Sequence, residues 1–196
     1  MLLLLKTLLK NIVPIGEYVM TKFLIIYSSV DGHTQKICER MRLNLNKGNN
    51  VKIISVEDIC REELIKYDFV IIGASIRYGK HRSNVYKFIK ENKTLLDKID
   101  NAFFSVNVVA RKTNKSSPKN NPYIQKFLKI TKWEPKHLGV FAGKIDYKKY
   151  NLIDRLMICF IMWVTKGPTN LNGAYDFTNW QRVDDFCKKL VYKICR

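Results

Sequence analysis

Five consecutive apolar or aromatic residues, Phe23-Leu-Ile-Ile-Tyr27, run directly into a mostly small and polar stretch, Ser28-Ser-Val-Asp-Gly-His-Thr34. An uninterrupted run of the first kind reads as a strand buried on both faces, the kind found inside a parallel sheet. Gly32 permits a sharp turn or a close backbone approach. Thr34 ends the loop and begins a helix. Such a helix start exposes unpaired backbone N–H groups, to which hydroxyls add donors. Strand, polar loop and helix start together read either as a phosphate cradle or as an ordinary βα turn.

The type of loop excludes two common nucleotide sites. A dinucleotide fold calls for Gly-x-Gly-x-x-Gly, and this loop has one glycine. A nucleotide triphosphatase calls for Gly-Lys-Ser/Thr, where this chain has Gly-His-Thr. No lysine or arginine stands between Ser28 and Thr34. N–H and O–H donors with the helix dipole are still able to hold a monophosphate.

The stretch Ser28–Thr34 resembles the phosphate loop of flavodoxin-like proteins, which bind FMN. In that family a run of hydroxyl residues surrounds a glycine and ends in threonine. The resemblance implies FMN contacts from Ser28, Ser29, Asp31, Gly32, His33 and Thr34, with His33 acting through its backbone rather than its imidazole.

The remaining pattern is α/β. A helix is expected over 34–45, with Ile37, Met41 and Leu45 inward and Cys38 packed beside them. Strands follow at 51–56 and 68–73. The second ends in Gly73-Ala-Ser-Ile-Arg-Tyr-Gly79, where Gly73 allows a ligand close to the backbone, Tyr78 is suited to stack on a flat ring, and Arg77 to meet an anion. Read as packing, Tyr78 is a half-buried core ring and Arg77 a solvated head. A helix over 82–93 has Val85, Phe88 and Ile89 on its apolar face, and His81 before it reads as an exposed loop residue. A fourth strand, 102–106, continues into Asn107-Val-Val-Ala-Arg111. Residues 112–122 read as a polar surface loop. A helix over 123–130 buries Ile124, Phe127 and Leu128, and a short fifth strand, 138–143, is expected at the sheet edge. Thr178-Asn-Trp-Gln181 has capping-box spacing. It opens a last helix with Val183, Phe186, Leu190 and Ile194 on one face.

Gly73–Gly79 and Ser105–Lys112 resemble one branch of the flavodoxin-like family, the quinone-dependent protoporphyrinogen oxidases. This implies flavin contacts from Ser75, Ile76, Arg77, Tyr78 and Gly79, and from Ser105, Asn107, Val108, Val109 and Ala110. It implies a five-stranded parallel sheet in the order 2-1-3-4-5, with helices on both faces and the ligand at the carboxyl ends of the strands.

Between the fifth strand and the last helix, about residues 144–177, lies more chain than a simple connection needs. It contains the apolar run Leu156-Met-Ile-Cys-Phe-Ile-Met-Trp-Val164, too short to span a bilayer. Lys144, Lys148, Lys149, Arg155 and Lys166 surround it. Three readings fit: a helix lying on an anionic bilayer, one wall of a large apolar pocket, or a helix packed on the domain or in a dimer contact. The oxidase branch carries a similar insertion, and Tyr150-Asn-Leu-Ile-Asp-Arg-Leu-Met-Ile158 resembles its pattern.

The resemblance implies oxidation of protoporphyrinogen IX, six electrons in three two-electron steps, through FMN to menaquinone or ubiquinone. The basic-flanked apolar run 156–164, with the need to reach a lipid-dissolved quinone, points to a soluble fold placed peripherally on the cytoplasmic face of the inner membrane. Arg77, Arg111, Lys144 and Arg155 are the candidates for the two propionates, because arginine matches carboxylate bidentately. Tyr78, Phe160 and Trp163 are the candidates for an apolar wall. No residue is marked out as a proton acceptor. A flavodoxin-type electron carrier and an NAD(P)H:quinone oxidoreductase would share the three loops. Carriers, however, usually present an acidic face and need no substrate pocket.

Charge enters here. Lys and Arg number 35 against 17 Asp and Glu, a net +18. That suits nucleic acid, an anionic membrane or an acidic substrate, or reflects compositional bias. No recognition helix or aromatic-and-basic strand supports a nucleic-acid binder. Cys38, Cys60, Cys159, Cys187 and Cys195 show neither metal nor disulfide spacing. Residues 1–19, apolar at first but interrupted by Lys6, Lys10 and Glu17, read as an extension outside a domain of residues 20–196.

Overall fold

A computed structural model describes residues 20–194. The expected extension, residues 1–19, and Cys195 lie outside the described residues, as does the side chain of Ile194.

Strand β1 (Lys22–Ser28) is the axis of the structure. Phe23, Leu24, Ile25 and Ile26 have no exposed surface. Strand side chains alternate between faces, so these four divide between two cores. Leu24 and Ile26 join Val70, Ile72 and Phe103. Phe23 and Ile25 join Phe69, Ile71 and Phe104 on the other side. A strand covered on both faces is what makes every position apolar.

β2 (Asn50–Ser55) and β3 (Phe69–Arg77) flank β1, both parallel to it. A two-residue strand, β4 (Lys80–His81), pairs antiparallel with β3. β5 (Asp100–Val106) and β6 (His137–Phe141) complete the sheet, again parallel. The five parallel strands stand in the order β2-β1-β3-β5-β6. With β4 set aside this is the expected 2-1-3-4-5 arrangement, and the short β6 is at the edge. The chain moves from β1 to β2 on one side and returns to β3 on the other. That reversal opens a crevice at the carboxyl ends of β1 and β3.

Helices α1 (His33–Leu45), α2 (Arg61–Leu64), α3 (Ser83–Leu96) and α4 (Pro122–Thr131) follow in chain order. α1 covers one face of the sheet with Ile37, Cys38, Met41 and Leu45. α3 and α4 cover the opposite face with Val85, Phe88, Ile89, Ile124 and Phe127. The segment after β6 forms β7 (Lys144–Asp146), α5 (Leu152–Val164) and β8 (Ala174–Asp176), with β7 and β8 antiparallel. Ile145, Tyr147, Tyr150 and Met162 give it a small core of its own. α6 (Trp180–Ile194) returns beside α1 and buries Val183, Cys187 and Leu190. Burial pushes the Cys187 thiol up to about 12 and raises that of Cys38 as well, so both are packing groups.

Four local expectations are corrected. His81 is not an exposed loop residue. It is 1% exposed, because β4 folds it against Phe103 and Phe127. Gly73 does not make room for a ligand. The Phe104 ring of the adjacent strand lies over it, and a Cβ there would sit 2.1 Å from the ring. The cap of α6 is Asn179, whose Oδ1 accepts from the Arg182 N–H, while the Thr178 hydroxyl donates to the Ala142 carbonyl. Residues 112–122 are not only polar surface, since Asn121 is fully buried and caps α4.

Candidate active site

The loop after β1 is set by Gly32, whose φ of 78° places it in the left-handed region as the residue before α1. Glycine adopts that conformation without steric cost. The turn brings Ser29 and Thr34 to the mouth of α1. Ser29 Oγ and Thr34 Oγ1 are buried and have no hydrogen-bond partner among the described residues. Buried hydroxyls are normally paired, so two orphans at one helix N-terminus need an acceptor. A phosphate meets that need with its oxygens and its charge, so the residues fit FMN.

The His33 imidazole points elsewhere. Its Nε2 lies 2.6 Å from Thr178 Oγ1 and 3.6 Å from Asp176. The Thr178 hydroxyl proton goes to the Ala142 carbonyl, so Nε2–H of His33 is the donor. Burial lowers the His33 pKa, which Asp176 opposes.

The second loop is longer in strand than expected, since β3 runs to Arg77. A two-residue turn then reverses the chain, with φ of 51° at Tyr78 and 73° at Gly79. Positive φ at both central positions is the signature of a type I′ hairpin. Arg77 donates to Asp31 at 3.1 Å and to Asp154 of α5 at 2.8 Å. Its guanidinium also stacks on Tyr150, 4.9 Å from the ring centre. The Tyr78 hydroxyl donates to Asp154 at 2.9 Å.

The third loop is a 3-10 turn, Val108–Arg111, capped by Asn107, whose Oδ1 accepts from the Ala110 N–H at 3.0 Å. Asn107 Nδ2 donates to Ser105 Oγ, and Asn121 Nδ2 donates to Asn107 Oδ1. Ser105 in turn meets His81 Nε2 at 3.0 Å. This buried polar chain holds the loop from beneath. Arg111 donates to the Thr165 carbonyl and hydroxyl at the end of α5, and to the Val108 carbonyl. Among the described residues its partners are all neutral, and burial lowers its pKa.

One cleft gathers most of the expected residues. Ser29, Asp31, His33 and Thr34 line it from the first loop, and Ser75 to Gly79 from the second. Asn107, Val108, Val109, Arg111 and Lys144 line it from the third side. Gly32 shapes the loop without lining the cleft. Ser28 is outside it and donates to Asn84. Ser105 and Ala110 are buried below the floor. Arg155 is outside and donates to the Tyr147 carbonyl. Phe160 and Trp163, 63% and 69% exposed, are on the outer face of α5.

The wall facing the loops is instead Met157, Ile158, Ile161, Met162 and Thr165. Their spacing of three and four marks one helical face. Tyr123, Ile145 and Tyr150 also line the cleft and were not singled out for it from sequence. Tyr150 stands in the quoted Tyr-x-x-x-Asp-Arg pattern, which was the available signal; nothing in the sequence distinguishes Tyr123.

A sheet in this order, with three loops meeting at its switch point, makes this a flavodoxin-type α/β protein. The flavodoxin domain profile matches residues 24–172. Protoporphyrinogen IX dehydrogenase [quinone] of Escherichia coli (strain K12) is 37% identical over 172 residues, 87% of this chain and 95% of that protein. The Leishmania major protein of the same name is 38% identical over 84% of this chain and 72% of its own. Among solved structures, a flavodoxin from the domain Archaea aligns with a TM-score of 0.50 at 16% identity, covering 89% of this chain and 99% of that one. A short-chain flavodoxin associated with a bacterial microcompartment aligns at 0.51 with 10% identity, over the same shares. These two bear on fold alone. The chain belongs to the flavodoxin domain family, in the branch of the quinone-linked protoporphyrinogen IX dehydrogenases.

Proposed function

We propose that this chain is an FMN-dependent dehydrogenase that oxidises protoporphyrinogen IX to protoporphyrin IX and passes the electrons to menaquinone or ubiquinone. The observation that carries this reading is a single cleft with two chemically different ends. One end has the orphan hydroxyls of Ser29 and Thr34 at a helix N-terminus. The other has the apolar wall of α5. The activity named for the Escherichia coli and Leishmania major relatives supports it. An electron carrier needs the first end and has no use for the second.

Bound FMN supplies the two-electron acceptor, and the protein supplies binding, orientation and electrostatics. Ser29, Thr34 and the first N–H groups of α1 hold its phosphate. Tyr78 and the Val108–Val109 backbone flank its ring. Met157, Ile158, Ile161 and Met162 exclude water and give an apolar tetrapyrrole a matching surface. Arg77 already pairs with two carboxylates, so Arg111 takes a substrate propionate; Lys144, which lines the cleft and has one carboxylate, Asp146, at 3.5 Å, is the second cation.

The reading extends to location. Among the described residues no helix is long and apolar enough to cross a membrane. α5 exposes Leu152, Ile153, Leu156, Phe160, Trp163 and Val164 on its outer face. The exposed Lys148, Lys149 and Lys166 flank it. An apolar face ringed by lysines suits an anionic bilayer, where the quinone is dissolved.

The test is anaerobic. FMN-loaded protein is mixed with protoporphyrinogen IX and a quinone, and porphyrin fluorescence is followed. Fluorescence requiring both protein and quinone is expected. Flavin that a redox protein reduces but porphyrinogen does not would overturn the reading in favour of a carrier.

A further inference from the structure

Asp154 is 6% exposed, does not line the cleft, and yet collects hydrogen bonds from two residues that do. Its Oδ2 accepts from Arg77 Nη2 at 2.8 Å, and its carboxylate accepts from the Tyr78 hydroxyl at 2.9 Å. Its own backbone N–H donates to Asn151 Oδ1, the cap of α5, at 2.8 Å. The carboxylate is therefore fixed to the first turn of the helix.

Tyr78 provides an independent observation. It holds a φ of 51° in the first position of a type I′ turn, a place that favours asparagine, aspartate or glycine. A bulky side chain there is strained and persists only when its surroundings determine it. The Tyr78 hydroxyl reaches both carboxylate oxygens of Asp154, at 2.9 and 3.0 Å, the Arg77 guanidinium lies 5.3 Å from the ring centre, and the residue is otherwise 63% exposed. The strained turn, its aromatic ring and the neighbouring arginine are all tied to one carboxylate on another segment of the chain.

We propose that Asp154 is a positioning residue for the flavin. By anchoring the Arg77–Tyr78 turn to α5 it fixes the ring that flanks the isoalloxazine. It thereby makes flavin binding and the placement of the α5 wall a single event. The proposal rests on the FMN reading above. It names no role for Asp154 in contact with the reacting atoms.

The test uses the full chain stripped of FMN and re-titrated, for wild type, Asp154→Ala, Asp154→Asn, Tyr78→Phe and the Asp154→Ala/Tyr78→Phe pair. Asp154→Ala leaves Arg77 its second partner, Asp31, so no unpaired cation is created. Expected are a tenfold or greater loss of FMN affinity in Asp154→Ala and an altered visible circular dichroism of the bound flavin. A smaller loss is expected in Asp154→Asn, which keeps an acceptor. The double variant should be no weaker than Asp154→Ala, because both changes break the same contact. Wild-type affinity and flavin spectrum in Asp154→Ala, or losses that multiply in the double variant, overturn the proposal. If Asp154→Ala fails to fold, Tyr78→Phe decides: unchanged FMN affinity and spectrum overturn it. Wild-type protein that takes up no FMN at all sinks the FMN reading itself, and this proposal with it. FMN uptake with an indifferent Asp154 sinks the proposal alone.

Discussion

The Nε2 atom of His81 lies 3.0 Å from the hydroxyl of Ser105, inside a cage made by Phe103, Phe127 and Tyr86. The imidazole stays neutral there because burial lowers its pKa to about 4. In the unfolded chain it titrates near the ordinary value of about 6.5. Between those values the unfolded state binds a proton that the folded state refuses, so stability falls as pH drops through the window. The full effect is of order 3 kcal/mol at 1.36 kcal/mol per pKa unit. His33, also lowered by burial, acts in the same direction. His81→Gln keeps a polar contact to Ser105 and removes the titration. Urea melts from pH 7 to pH 4 should show a flatter profile for the variant, and parallel profiles would refute the assignment.

Thr34 allows two measurements with opposite signs. Its hydroxyl is buried without a partner among the described residues, at an expected cost of about 1–3 kcal/mol. Thr34→Val removes that cost at nearly constant shape. The apo-protein should melt at the same temperature or higher. FMN affinity should fall about tenfold or more, the loss of one charge-assisted hydrogen bond. Ser29→Ala should behave alike. An apo-protein destabilised by Thr34→Val, with FMN affinity intact, would mean that the hydroxyl serves the fold and not the phosphate.

The residues that were legible in the sequence are those whose role is local. Phe23 to Thr34 declare strand, turn and helix start by their own chemistry, and the three loops follow because each sits at a strand end. The residues that were not legible depend on partners far along the chain. His81 stands between Lys80 and Arg82 in a polar stretch, and its burial comes from Phe103 and Phe127. Gly73 looks like a ligand approach until Phe104 is placed over it. The division of α5 was hidden for another reason. Met157 and Ile161 face the cleft while Phe160 and Trp163 face outward, and a helix apolar nearly all round gives hydropathy no contrast to read.

That outward face makes a prediction about membranes. Phe160 and Trp163 lie 6.1 Å apart, ring to ring, and both are largely exposed. Changing both to serine should leave the melting temperature unchanged, since little packing is lost. Vesicles containing anionic lipid should retain the variant at least tenfold less, given about 1.5–3 kcal/mol for burying a side chain of this size. High salt should weaken the wild type as well, because the flanking lysines contribute by charge. If wild-type protein ignores anionic vesicles, the face meets another protein surface and the bilayer assignment is withdrawn.

Arg111 tests the substrate itself. It is the half-buried guanidinium of the cleft whose partners, Thr165 and the Val108 carbonyl, carry no charge. A buried cation without a counter-charge is costly, and a propionate entering the cleft relieves that cost. Arg111→Met should lower kcat/KM for protoporphyrinogen IX about tenfold to a hundredfold, the range for a charge-assisted hydrogen bond of about 1.5–3 kcal/mol. FMN affinity should be little changed. Arg111 also steadies the end of α5, so lower activity alone would not identify its role. The dimethyl ester of the porphyrinogen separates the two. It has no carboxylate to offer, so wild type and Arg111→Met should oxidise it at similar rates. If the variant loses as much against the ester as against the free acid, Arg111 supports the helix and the propionate is held elsewhere.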